Sequence, residues 1–311
     1  MVMADASDPA QPVADVPMTV IGGYLGAGKT TLLNRLLADP DSPRLAVIVN
    51  DFGALNIDES LIASRDGSAV SLTNGCVCCS LSDALADGLG ELLNRAPRPE
   101  HIVLEASGIA EPRRVGQYGL LTQGVRLAAV VTVADAEMID AQAKDKFVGP
   151  LVQSQLRDGD LLVLSKTDLV SHSRLSEVKD WLAGVAPDAR VMETGQEGLS
   201  SFMLLGEGVM SDADHPSTEA ATTFSSWSFV SDRVFDVEKV NTLLGRLPPS
   251  IVRAKGFVKT HEGFQVAHLA GRRVTLEPAT EKLSDPKTKL VFIATGEEID
   301  GDALRRSLDA C

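Results

Sequence analysis

Gly23-Tyr24-Leu25-Gly26-Ala27-Gly28-Lys29-Thr30 is the stretch that decides the fold. It fits G-x-x-x-x-G-K-[ST] in full, a pattern whose residue types each answer to phosphate chemistry. Glycines let successive backbone N–H groups turn inward around an anion. A helix that begins at the loop adds its unpaired N–H groups and the positive end of its dipole. Lys29 brings a cation to the β- and γ-phosphates, and the Thr30 hydroxyl can ligate Mg²⁺. Gly26, Ala27, Gly28, Lys29, Thr30 and Thr31 are therefore the candidate phosphate ligands. The alternative is a Gly-rich turn that only caps a helix. The context favours phosphate binding: the apolar run Met18 to Ile21 precedes the loop, and helical spacing over Lys29 to Leu37 follows it.

Working outward, strand-like and helix-like segments alternate. Apolar runs at Leu45 to Val49, Ile102 to Leu104, Leu127 to Val133 and Leu161 to Leu164 predict buried strands. Ser82 to Arg95 predicts an amphipathic helix with Leu85, Leu89, Leu92 and Leu93 on one face. Strands apolar on both faces, alternating with helices, indicate a mostly parallel sheet covered by helices on both faces: an α/β P-loop fold over residues 17–194. Residues 1–16 read as a disordered tail. Residues 195–222 are rich in Gly, Ser, Asp and Glu and read as a linker. Strand-like pieces at Phe224 to Val230, Ile251 to Thr260, Phe264 to Leu269, Val274 to Leu276 and Leu290 to Ala294 follow. With helical stretches at Val237 to Leu247 and Asp302 to Leu308, they predict a small α+β domain over 223–311.

The net charge of −14 argues against a nucleic-acid partner, because phosphate backbones attract basic faces. It suits either a chain that attracts cations or simple solubility. Aromatic residues are only 4%, so the core leans on Leu, Val, Ile and Ala. No apolar run approaches the roughly 18 residues a membrane span needs. The first basic residue is Lys29, and Asp5, Asp8 and Asp15 interrupt any apolar leader, so a secretory signal is not expected. The expected compartment is cytoplasmic, where thiols stay reduced and cysteines are candidates for metal binding or reactivity.

Three further clusters carry chemistry. Ser165-Lys166-Thr167-Asp168 closes a predicted strand, so Asp168 falls on the ligand edge of the sheet. Its carboxylate can accept from guanine N1–H and the exocyclic amine, which adenine cannot match, while the Lys166 stem lies across the base. Asp168 capping the next helix is the competing reading. Glu105 ends another strand and can hold Mg²⁺ through water, with Gly108 bringing an N–H to the γ-phosphate; a solvated or capping Glu is the alternative. Asp51, after the second strand, is a second candidate for orienting magnesium or water. Cys76-Val77-Cys78-Cys79 offers soft thiolates, the donors zinc and its neighbours prefer. Three ligands do not close a structural zinc site, which suits an ion meant to leave; inert thiols or a redox pair are the alternatives. The cluster lies between the 50–58 loop and Glu105, where a γ-phosphate would order the chain, so metal and nucleotide are expected to feel each other.

With those residues in place, the chain resembles the CobW family of metal-handling P-loop GTPases, relatives of UreG and HypB. The elements that carry the resemblance are the phosphate loop, Asn50-Asp51-Phe52-Gly53 with Ile57-Asp58, Gly75 to Cys79, Glu105 to Gly108 with Glu111-Pro112, Ser165 to Asp168, and Arg253-Ala254-Lys255-Gly256 with Leu290 to Ile293. The resemblance implies GTP hydrolysis with Mg²⁺ and delivery of zinc or cobalt to a metalloprotein client, with a homodimer left open. The rivals are a P-loop kinase or ATPase acting on a small molecule, and a metal sensor or scaffold holding nucleotide structurally. Three departures stand out. Ser165 replaces the usual Asn, which points to weaker guanine affinity. Val49 and Ala54 stand where some relatives carry glutamates. His101, His172, His215, His261 and His268 are scattered, so a His-rich metal store is not expected.

Overall fold

The computed structural model describes residues 14–49, 69–71, 80–194, 199, 201–205, 224–279, 286–295 and 298–311. Strand β1 (Val16–Gly22) is buried along its whole length and lies at the centre of a sheet. Around it the chain places helix α1 (Lys29–Ala38), β2 (Leu45–Val49), β3 (Ala69–Ser71), α2 (Ser80–Leu93), β4 (His101–Glu105), α3 (Pro112–Gly119), β5 (Val125–Asp135), α4 (Ile139–Lys144), α5 (Gly149–Asp158), β6 (Leu161–Ser165), α6 (His172–Val185) and β7 (Arg190–Glu193). Among the described residues these strands form a seven-stranded sheet in the order β3-β2-β4-β1-β5-β6-β7. Every pairing in it is parallel.

The central strands are apolar on both faces because both are covered. Leu33, Leu36 and Leu37 of α1 pack with Val47, Val103, Val131 and Val163 on one side. Leu85, Leu89 and Leu92 of α2 and Val115 of α3 pack with Met18, Val20, Ile48 and Leu104 on the other. The apolar-run criterion misses the two edge strands. Three-residue β3 is too short, and β7 alternates buried and half-buried residues between a polar Arg190 and Glu193. Helix α2 stops at Leu93, two residues short of the expected Arg95. Within the stretch read as a linker, α7 (Ser201–Leu205) buries Leu204 and Leu205 in the same core as α1.

A second sheet follows, antiparallel, with strands β8 (Phe224–Ser231), β9 (Ile251–Thr260), β10 (Gly263–Ala270), β11 (Arg273–Pro278) and β12 (Thr288–Thr295) in the order β11-β10-β9-β12-β8. Helices α8 (Val237–Gly245) and α9 (Gly301–Asp309) cover one face, where Val240, Leu244, Leu304 and Leu308 meet Phe229, Phe235 and Phe292. Part of the other face meets the first sheet's layer: Val252, Ala270 and Ile293 join the core of α1 and α7. Buried Arg190 donates to the carbonyls of Pro248 (2.8 Å) and Leu247 (3.3 Å), and Arg253 donates to the Leu204 carbonyl at 3.1 Å. No helix among the described residues is long and apolar enough to cross a membrane.

Two histidines lie near this junction. His101 is fully buried at the start of β4, its Nε2 2.9 Å from the Thr19 hydroxyl. Burial pushes its pKa well below the usual histidine value, and the charges of Arg253, Arg126 and Lys255 and the nearby His268 push the same way. His268 on β10 is pushed down to about 2, by burial first and then by Lys255, Arg126 and Arg253. Arg126, one of these charges, pairs with Glu277 at 3.2 Å. Both rings stay neutral in the folded chain, while the unfolded chain takes up protons below about pH 6.5. Stability from this source is present above that pH and is lost as the pH falls, by up to about 1.4 kcal/mol per pH unit for His101. Thermal melts between pH 7.5 and 5.5 are expected to show a falling midpoint, with a shallower fall in His268→Gln. Equal slopes in the two proteins would contradict this account.

Candidate functional site

The phosphate loop lies beyond the C-terminal end of β1. Gly23 takes φ 128°, and a Cβ there would collide with the Val133 carbonyl oxygen on β5, so only glycine lets the loop leave the strand this close to its neighbour. Gly28 sits at φ 97° just before α1, and the Ala27 amide donates to the Tyr24 carbonyl at 3.2 Å. The loop therefore ends on the first turn of α1, where Lys29, Thr30 and Thr31 follow. Lys29 is 8% exposed, and its Nζ donates to the Tyr24 carbonyl at 3.4 Å.

The parallel register puts Ile21 level with Glu105, so the end of β4 lies beside the loop. Glu105 is 3% exposed, and its Oε1 accepts from the Thr30 hydroxyl at 3.0 Å. That geometry removes the solvated-glutamate alternative. Gly108 packs against Leu25 of the loop; a Cβ would come within 2.5 Å of Leu25 Cδ2 and 2.9 Å of its backbone nitrogen. Gln155, buried on α5, pins this turn by donating from Nε2 to the carbonyls of Gly108 (3.0 Å) and Ala110 (2.8 Å). The sequence did carry a signal for Gln155: an amide in apolar phase with Val152 and Leu156.

On the other side of the loop, β6 delivers Ser165, Lys166 and Asp168. Asp168 sits in a short 3₁₀ turn (Thr167–Leu169). The following helix is capped instead by Ser171, whose hydroxyl accepts from the Arg174 amide at 3.2 Å, so the capping alternative for Asp168 falls away. A cavity of about 160 Å³ is lined by Gly28, Thr31, Arg35, Ser165, Lys166, Asp168 and Thr194. That volume is smaller than a whole ligand pocket, roughly 300–1,000 Å³.

Lys166 stands in the left-handed region at φ 57°, and its Nζ lies 2.5 Å from Asp135 Oδ2. Asp135 ends β5 as Glu105 ends β4, a position that could have singled it out from sequence. Ser165 donates to the Ala27 carbonyl at 2.7 Å and lies 3.3 Å from that of Ala134. The shorter residue thus ties β6 to the phosphate loop. The structure brings Gly26, Ala27, Gly28, Lys29, Thr30, Thr31, Glu105, Gly108, Lys166 and Asp168 to one edge of the sheet. Asp51, Cys76, Cys78 and Cys79 lie outside the described residues.

The sequence matches known families and proteins. A family model described as the CobW/HypB/UreG nucleotide-binding domain matches residues 17–193, and one for the cobalamin synthesis protein CobW C-terminal domain matches 224–311. A zinc chaperone CobW of Pseudomonas aeruginosa is 28% identical over 353 aligned positions, covering 98% of this chain and 94% of that one. A zinc chaperone CobW of Sinorhizobium is 33% identical over 228, and the match spans 64% of each chain. The zinc chaperone YjiA of Escherichia coli is 35% identical over 176, spanning 52% of this chain and 54% of that one. The crystal structure of Zn(II)-bound YjiA GTPase superposes with a TM-score of 0.47 at 22% identity, over 96% of this chain and 99% of that one. Through the two matched domains, whose first contains the phosphate loop, Glu105 and Asp168, the chain belongs to the CobW/HypB/UreG family.

Proposed function

We propose that this chain is a GTP-hydrolysing metallochaperone of the cytosol, which binds zinc or cobalt through Cys76, Cys78 and Cys79 and passes the ion to a metalloprotein client. Residues 17–194 form the GTPase unit and 223–311 the C-terminal unit, joined by 195–222. The observation that carries hydrolysis is the 3.0 Å bond between the Thr30 hydroxyl and the buried Glu105 carboxylate. It sets two hard oxygens together beside a phosphate loop, the donor type magnesium prefers. Thr30 would hold the ion directly and Glu105 through water, with Asp51 as a further orienting carboxylate, and the bound ion would supply positive charge to the phosphoryl oxygens.

The chain's own groups do the rest. The amides of Gly26 to Thr31 and the Lys29 ammonium stabilise charge developing on the phosphoryl oxygens. Gly108, held by Gln155, offers its N–H at the γ-phosphate. Asp168 accepts from guanine N1–H and the exocyclic amine, while the Asp135 carboxylate fixes Lys166 beside the base. The family includes relatives named zinc chaperones and a zinc-regulated GTPase metalloprotein activator, which supports the same reading of the thiolate cluster.

Zinc and cobalt titrated calorimetrically into nucleotide-free, GDP-bound and GTP-analogue-bound protein test the coupling. Metal affinity is expected to differ at least about fivefold between the GDP and GTP-analogue states, at the lower end of coupling energies between linked sites. It should drop out in the Cys76→Ser/Cys78→Ser variant. The same affinity in every nucleotide state, or full metal binding without those thiols, would rule the proposal out.

A further inference from the structure

Two sets of hydrogen bonds meet where helix α5 ends and the chain turns into β6. On one side, Gln155 of α5 holds the Gly108 turn by the carbonyls of Gly108 and Ala110. The chain leaving that turn enters α3, whose Pro112 sits on Gly22 at the end of β1; a Cβ on Gly22 would fall 2.5 Å from Pro112 Cβ. The next residue, Arg113, donates from Nη2 to the Asp158 carbonyl at 2.6 Å and to Asp160 Oδ1 at 2.8 Å. On the other side, the β10–β11 turn of the second sheet closes on the same stretch. Gly271, at φ 54°, lies so close that a Cβ would come 1.7 Å from the Asp160 carbonyl oxygen. The Arg272 amide donates to that oxygen at 3.1 Å. Its side chain donates to the Arg157 carbonyl at 2.8 Å, and Arg273 Nε donates to Asp160 Oδ2 at 3.0 Å. Arg113 and Arg273 therefore hold the two oxygens of one buried carboxylate, one from each sheet's layer.

We propose that Arg113 is a positioning residue through which the second sheet regulates the GTP site: the Asp160 carboxylate, clamped by Arg272 and Arg273, holds Arg113, which fixes the start of α3 and with it the Gly108 turn at the γ-phosphate. Charged hydrogen bonds between packed elements carry a displacement because close-packed surroundings do not absorb it. GDP has no γ-phosphate, so only the triphosphate senses where the turn lies. Linkage runs both ways: GTP tightens the β10–β11 turn, and whatever loosens that turn weakens GTP. This regulation rests on the GTP-binding reading above.

Hydrogen exchange of the Arg272 amide in the full-length wild-type chain is the first test. Exchange with Mg²⁺ and GTPγS is expected to be at least about fivefold slower than with Mg²⁺ and GDP, the lower end of coupling between linked sites. Nucleotide titrations of folded variants are the second. Arg273→Gln lies on the second sheet, yet it should weaken GTPγS about fivefold while GDP stays within about twofold. Arg113→Met should give the same split, and Arg113→Lys, which keeps a charged donor for Asp160, should recover most of it. The Arg113→Met/Arg273→Gln double variant should be no worse than the worse single one, because both act through one carboxylate. Three results overturn the inference: equal exchange in the two nucleotide states, GDP and GTPγS weakening by one common factor, or the two substitutions multiplying independently. A wild-type chain that binds neither GDP nor GTPγS would remove the GTP reading beneath it, and the inference with it.

Discussion

Asp160→Ala is expected to lower the melting temperature of the whole chain by on the order of 10 °C, the result of losing about 3–5 kcal/mol. Asp160 starts the turn into β6 and is 2% exposed. Its Oδ2 accepts from the Val130 amide at 3.0 Å. Three guanidinium groups converge on the same carboxylate: Arg113 at 2.8 Å, Arg273 at 3.0 Å and Arg272 at 3.4 Å. Burial alone would raise the pKa, but the Arg273 charge, the Val130 amide and Arg113 outweigh it and hold the carboxyl below the usual range. Arg272 lies in the second sheet's β10–β11 turn and Arg273 opens β11, and Arg113 stands on α3 just after the Gly108 turn. Removing the carboxylate leaves three partly desolvated cations facing one another across the junction of the two sheets. Asp160→Asn keeps the Val130 bond and should recover part of the loss. Differential scanning calorimetry decides the matter, and an alanine variant melting within about 2 °C of wild type would refute this view of the junction.

Lys29→Met should cut GTP turnover by about 10²–10³-fold, the usual cost of removing one preorganised charge-stabilising donor. Methionine keeps the alkyl packing of a side chain that is 8% exposed, so the melting temperature without nucleotide should stay close to wild type. Glu105→Gln separates the phosphate contribution from the metal one. Glutamine still accepts from Thr30 but has lost the charge that holds a hydrated cation, so the magnesium requirement should rise about 10–100-fold. Single-turnover assays across a magnesium series read both effects. Lys29→Met turning over within threefold of wild type, or an unchanged magnesium requirement in Glu105→Gln, would contradict the assigned roles.

Much of the fold is legible because burial leaves a local mark. Leu45 to Val49 and Leu161 to Leu164 are apolar throughout since helices cover both sides of their sheet. Ile251–Thr260 has the same limits in sequence and structure. The phosphate loop is legible for a different reason: its glycines and Lys29 satisfy one chemical demand within eight consecutive residues. Glu105 and Asp168 could be placed because a polar residue ending an apolar run must emerge at the sheet's C-terminal edge.

The pairings that give those residues their surroundings were not legible. Nothing local says that Ser165 bonds the Ala27 carbonyl, that Thr19 meets His101, or that Arg35 reaches Thr194. Asp160 reads as an ordinary turn carboxylate until the chain returns 112 positions later with Arg272 and Arg273. The amino-acid sequence by itself determined the layers, the phosphate loop and the kinds of group at its edge, because burial and loop chemistry act over a few neighbouring residues. Only the tertiary structure decided which groups share an oxygen, because those contacts depend on the relative placement of elements far apart in the chain.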